Sequence, residues 1–175
     1  MSVSEFSLIV TLADAAHGRI ISVEVDAAAR DAIARRLGLT ALDRFIFTAE
    51  VRTIAGGIGA KGEVRADVVQ ACAATDLPIP AAIAEPFDLR FLRDVDAPVS
   101  EHEEIEIDSD DLDLLPLDGD RIDLGEAAVQ TLSLALDPFP RHPDAERILA
   151  EKGVLSEEAA GPFAALAKLR GKPNA

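Results

Sequence analysis

Polar and apolar residues alternate with period two through most of the first half of the chain, the pattern of half-buried strands. Phe6, Leu8, Val10 and Leu12 share one face of a first strand, and Ile21, Val23 and Val25 share one face of a second. Ala15-Ala16-His17-Gly18 fits a hairpin turn between them. At Asp26 the period changes. Asp26 fits a helix N-cap, Ala29, Ile33, Ala34 and Leu37 form an apolar stripe, and Gly38 fits the stop, which predicts a helix over 27–37. A long strand follows over 44–54, with Phe45, Phe47, Ala49 and Val51 on one side. After Gly56-Gly57 a return strand over about 60–73 places Val64, Ala66, Val68, Gln70 and Cys72 together. Residues 76–80, with Pro78 and Pro80, read as a turn or crossing, and a strand over 82–92 carries Ile83, Phe87, Leu89 and Phe91.

The second half is less regular. Ile105 and Ile107 alternate with carboxylates in at most a short strand. Asp123 with Glu126 resembles a capping box, opening a helix over about 124–136 that is striped by Leu124, Ala127, Ala128, Leu132 and Ala135 and closed by Asp137-Pro138. Pro138, Pro140 and Pro143 stiffen a connector, after which short helical pieces over 144–152 and 162–169 precede a basic tail. The expected architecture is α+β: an antiparallel, partly closed, barrel-like meander covered by two main helices. A domain over 1–140 is expected to include an acidic segment at 94–120, with a helical appendage over 141–175.

Charge changes this picture most. Between Arg93 and Arg121 there are twelve carboxylates and no Lys or Arg. Against a net charge of −15, those twelve leave only −3 for the rest of the chain. Such a segment repels phosphate backbones and attracts basic proteins or cations. Composition bounds the rest: 175 residues suit one domain with an appendage, and 49% hydrophobic content suffices for a core despite the absence of Trp and Tyr. A single Cys excludes an intramolecular disulfide and suits a reducing compartment. The start of the chain carries Glu5 and alternates in polarity where a secretory leader needs basic and then apolar residues, and no stretch reaches the length of a membrane span. A cytoplasmic protein is expected.

Several motifs invite chemistry and lack its context. Gly57-x-Gly59-x-x-Gly62 matches a dinucleotide fingerprint, but a helix must follow the glycines and residues 63–72 alternate as a strand. Asp108-x-Asp110 and Asp118-x-Asp120 lack the Gly and Glu positions of a calcium loop. His17, His102 and His142 are dispersed, without zinc-ligand spacing. Cys72 sits on an apolar strand face, the position of a small buried hydrophobe rather than a nucleophile. No cofactor, metal or catalytic residue is expected.

Three ordered segments resemble the YceD-like family of large ribosomal RNA subunit accumulation proteins, long listed as a domain of unknown function. They are Val68-Val69-Gln70-Ala71-Cys72 with Pro78 and Pro80; Glu85-Pro86-Phe87-Asp88-Leu89-Arg90-Phe91; and Ile122-Asp123-Leu124-Gly125-Glu126, continuing to Pro138-x-Pro140. The ending Gly161-Pro162-Phe163 resembles that of alphaproteobacterial members. The resemblance implies a non-catalytic, cytoplasmic accessory protein of ribosome biogenesis, with Gln70, Cys72, Pro86, Phe87, Asp123, Leu124 and Gly125 as structural motif positions. Many relatives continue Cys72 as C-x-x-C; here Thr75 stands at the second position, which puts any metal of those relatives in doubt.

Charge then favours one mode of action. A basic ribosomal protein or assembly factor is the expected partner, met by Glu101, Glu103, Glu104, Glu106, Asp108, Asp110, Asp111 and Asp113. The alternative is direct contact with ribosomal RNA through Arg30, Arg35 and Arg36, or through Lys168, Arg170 and Lys172 in the tail. A small-ligand or enzymatic role inside the meander stands below both.

Overall fold

The structure is a computed structural model that describes residues 5–93 and 114–154. Residues up to Gln70 and from Pro80 to Asp137 form one compact unit; Ala71–Ile79 and the residues from Pro138 onward form a second.

The first unit is built on a five-stranded sheet in the order β2-β3-β4-β5-β6. Its strands are β2 (Arg19–Glu24), β3 (Ala41–Ile54), β4 (Gly57–Ala71), β5 (Pro78–Leu92) and β6 (Leu114–Pro116). β2 and β4 each run antiparallel to β3, with Ile21 opposite Ala49 and Phe47 opposite Val64. The link between β3 and β4 is a two-residue turn, Ala55-Gly56, and Gly56 takes the left-handed conformation (φ +79°) that a tight hairpin asks of it.

The α+β class holds, but the all-antiparallel meander does not: β6 pairs parallel to β5, Arg90 opposite Leu114. Nor does the sheet close into a barrel among the described residues; β2 and β6 remain its two edges. The first hairpin is also corrected. β1 (Ile9–Thr11) pairs with β7 (Arg121–Asp123) rather than β2, Val10 opposite Ile122. The chain leaves β1 through a one-turn helix, α1 (Leu12–Ala15), capped reciprocally by Thr11 and Asp14: Asp14 N–H donates to the Thr11 hydroxyl at 3.2 Å and Thr11 N–H to the Asp14 carboxylate at 3.0 Å. This box terminates the strand before any turn to β2 forms. β5 begins four residues earlier than its alternation predicts, through Pro78 and Pro80. The paired register of β6 reaches only Arg90–Leu92, so these prolines stand where β5 has no β6 neighbour needing a donor.

Helix α2 (Ala27–Leu37) has the predicted bounds and caps: the Asp26 carboxylate accepts Ala29 N–H at 2.9 Å, and Gly38 closes the helix at φ +67°. Helix α3 (Leu124–Ala135) begins on Asp123, as its spacing predicts. Both bury their stripes in one core. Ile33 and Ala34 of α2 and Leu124, Ala128, Val129 and Leu132 of α3 join Phe45, Phe47, Ala49, Val51, Val64, Ala66, Val68, Phe87 and Phe91 from the sheet's inner face. Phe6 meets Phe47 edge to face at 5.9 Å. No polar or charged residue is buried among those described. In the second unit, α4 (Ala145–Glu151) falls within the predicted 144–152 piece. The expected strand at Ile105 and the helical piece at 162–169 lie outside the described residues.

Candidate functional site

The sequence-predicted acidic positions Glu101, Glu103, Glu104, Glu106, Asp108, Asp110, Asp111 and Asp113, and the tail cations Lys168, Arg170 and Lys172, lie outside the described residues. The remaining predicted cations are not held as one basic edge. Arg36 is clamped by two carboxylates: its guanidinium donates to both oxygens of Glu126 at 2.6 and 2.8 Å and to Glu5 at 3.1 Å. Arg30 is half-buried and donates to the Val25 carbonyl at 2.7 Å. Arg35 is exposed. Of these three described charges, one is paired with carboxylates and one is committed to the backbone.

The motif Asp123-Leu124-Gly125-Glu126 acts as a joint. Asp123 caps α3 through Glu126 N–H at 3.1 Å, and the same carboxylate receives Leu8 N–H at 2.9 Å and the Ser7 hydroxyl at 2.7 Å. Leu124 is fully buried. A side chain at Gly125 would stand 2.8 Å from Leu8 N and 2.9 Å from Phe6 O, so only glycine lets the segment before β1 lie this close. Glu126 then reaches Arg36 on α2. Gln70 donates to the Asp137 carbonyl at 2.9 Å, tying β4 to the chain just beyond α3. Phe87 is buried beside the exposed Pro86.

Cys72 belongs to the second unit and is fully buried there. It is more than a small hydrophobe. Its sulfur accepts His142 N–H at 3.3 Å, and the chain around it is fixed by Cys72 N–H to Leu77 O and Ala73 N–H to Pro140 O, both 2.8 Å. The His142 amide, the buried Thr75 hydroxyl and the amides of Ala74 and Thr75 lower the thiol to about 7, against the burial that pushes it up. The buried Thr75 hydroxyl makes no well-formed hydrogen bond, so it acts on the thiol only as a nearby polar group. The imidazole Nδ1 of His142 is occupied by Asp144 N–H at 3.1 Å. Among the described residues no three His, Cys, Asp or Glu side chains gather where a metal ion could sit.

One further feature lies on the outward face of the sheet, which no helix covers among the described residues. Its rows over β3, β4 and β5 carry Arg44, Arg52, Lys61, Arg65 and Arg90 among Glu50, Glu63, Asp67 and Asp88. A hollow of about 210 Å³ opens there, lined by Glu50, Arg52, Ile54, Gly59, Ala60, Lys61, Asp88 and Arg90. Register assembles it: Glu50 stands opposite Lys61 and Arg52 opposite Gly59. Lys61 pairs with Asp88 at 3.0 Å, both well exposed. Sequence reading missed this site. Its trace was present in Gly59, a glycine at an outward strand position.

Residues 60–170 match the family described as large ribosomal RNA subunit accumulation protein YceD. The chain belongs to the YceD family. Within this YceD chain the match starts inside β4 and takes in β5, the acidic segment, the Asp123 joint and Cys72, while α2 precedes it. No curated protein and no solved structure matches the chain. Among the described residues no helix is long and apolar enough to cross a membrane.

Proposed function

We propose that this chain is a non-catalytic accessory protein in the accumulation of the large ribosomal subunit's RNA, working in the cytoplasm by docking a basic ribosomal protein or assembly factor on its acidic segment. The observation that carries this reading is family membership over residues 60–170, a span containing the whole uncompensated carboxylate run between Arg93 and Arg121. Twelve like charges within one stretch of sequence attract a basic surface and accelerate its encounter. The state of the rival basic edge supports the same reading, because Arg36 already holds two carboxylates and Arg30 a backbone carbonyl.

Affinity purification of the tagged chain at two salt concentrations, with and without nuclease, tests the reading. Co-purification of large-subunit precursor proteins that survives nuclease and weakens with salt is expected. Replacing Glu101, Glu103, Glu104 and Glu106 by Gln is expected to reduce it with the fold intact, whereas reversing Arg30 and Arg35 has a smaller effect. Undiminished binding by the Gln variant would refute acidic-segment docking.

A further inference from the structure

We propose that the hollow on the outward face of β3, β4 and β5 binds the ribose–phosphate backbone of RNA. The inference rests on the ribosomal reading for its ligand and goes beyond it in placing a direct RNA contact away from the acidic segment and away from α2.

The glycines of the Gly57-x-Gly59-x-x-Gly62 motif serve no nucleotide site, because a strand follows them. Two of them are demanded by the fold. A side chain at Gly57 would meet Phe91 O at 1.8 Å, and one at Gly62 would meet Thr48 O at 1.9 Å. Gly59 is different: the nearest atom is the Cγ2 methyl of Ile54 at 3.1 Å, and the nearest backbone atom is Arg52 O at 3.9 Å. A small side chain there would press only on one methyl, not on backbone as at Gly57 and Gly62. Glycine weakens a strand, and a strand glycine with no backbone clash against a side chain is one mark of close approach by another molecule. Gly59 lines the hollow.

The walls define the ligand. Arg52 and Lys61 supply cationic donors for phosphate oxygens, with Arg90 adding positive charge to the wall, and Glu50 and Asp88 supply acceptors. A ligand bearing only carboxylates or phosphates would meet repulsion from those two acids. An RNA backbone offers both halves of the match, since its phosphates take the cations and its 2′-hydroxyls donate to the carboxylates. DNA lacks the second half. No aromatic side chain lines the hollow, so recognition is of the backbone and independent of sequence. The Lys61–Asp88 pair, exposed at 72% and 51%, is weakly held and free to exchange its partners for the ligand's.

The test is fluorescence anisotropy of the full chain with a labelled single-stranded oligoribonucleotide and its deoxy counterpart, near physiological salt. Preference for RNA over DNA is expected. Arg52→Gln is expected to weaken both by about tenfold, the loss of one charge-assisted contact. Asp88→Asn should bring the RNA-to-DNA ratio toward one without weakening DNA. Gly59→Ala, with an unchanged melting temperature, should weaken RNA. Should Gly59→Ala disturb the fold, the exposed Arg52 still decides the matter. Failure of the wild-type chain to bind RNA, or wild-type affinity in Arg52→Gln, overturns the proposal. Because only purified chain and RNA are present, such a failure leaves the protein-docking reading standing.

Discussion

At the scale of single residues, the carboxylate of Asp123 ties the N-terminal segment of the first unit to helix α3. One carboxylate caps α3, holds Leu8 N–H and takes the Ser7 hydroxyl. Asp123→Ala is therefore expected to destabilise by about 2–4 kcal/mol, combining a lost cap with two lost charge-assisted bonds. Asp123→Asn, still a good cap, should lose distinctly less. Gly125→Ala should destabilise by about 1–3 kcal/mol by pressing on Leu8 and Phe6 backbone atoms. Urea unfolding of the three variants checks the order, and an innocuous Gly125→Ala would contradict the close approach. Cys72 gives a pH signature. Its thiol is lowered from 9.0 to about 7 in the fold, so the thiolate's stabilisation is complete above the unfolded value and lost as pH falls through the folded one. The melting-temperature gap between the wild type and Cys72→Ala should widen as pH rises from 7 to 9. A constant gap across that window would mean that the His142 amide does not hold a thiolate.

At the scale of elements, Arg36 on α2 and Glu126 on α3 couple the two helices across the core they share. Both side chains are part-exposed, at 34% and 24%, so screening limits the pair. A double-mutant cycle with Arg36→Ala and Glu126→Ala is expected to give a coupling near 1 kcal/mol that shrinks at high salt; zero coupling would make the contact incidental. The elements also show where a sequence is readable. Alternation from Phe45 to Val51 and the Asp26–Gly38 frame are local signals, and they place β3 and α2 closely. The three-residue strands β6 and β7 have no such signal, and the alternation around β1 does not name its partner, because each of the three exists by pairing with distant chain. Ile9 finds Asp123, and Leu114 finds Arg90 in parallel. The reciprocal cap of Thr11 and Asp14, hidden inside an alternating run, is why the expected first hairpin does not form. The motif residues of Asp123–Glu126 were visible as a pattern, but their reason was not, since Leu8, Phe6 and Arg36 reach them from elsewhere. Gly59 likewise gained meaning only when register set Arg52 opposite it.

At the scale of the whole molecule, two kinds of charge are segregated along one chain. The run between Arg93 and Arg121 is purely anionic, whereas the outward rows of β3, β4 and β5 mix five cations with four carboxylates. A net charge of −15 repels RNA at long range, and that repulsion is screened beyond about 8 Å at physiological ionic strength, while contacts inside the hollow are shorter than that. Protein docking on the acidic segment and RNA contact on the sheet face therefore respond oppositely to the same substitution. Changing Glu101, Glu103, Glu104 and Glu106 to Gln removes four negative charges. Affinity for the basic partner should fall. Affinity for the oligoribonucleotide should rise, most at low salt where the repulsion reaches furthest, and converge on the wild-type value as salt increases. Titrating both ligands against the two chains at several salt concentrations checks this. A parallel loss of both would show that the acidic segment and the RNA contact form one site, and unchanged RNA affinity at low salt would show that the segment's field does not reach the sheet face.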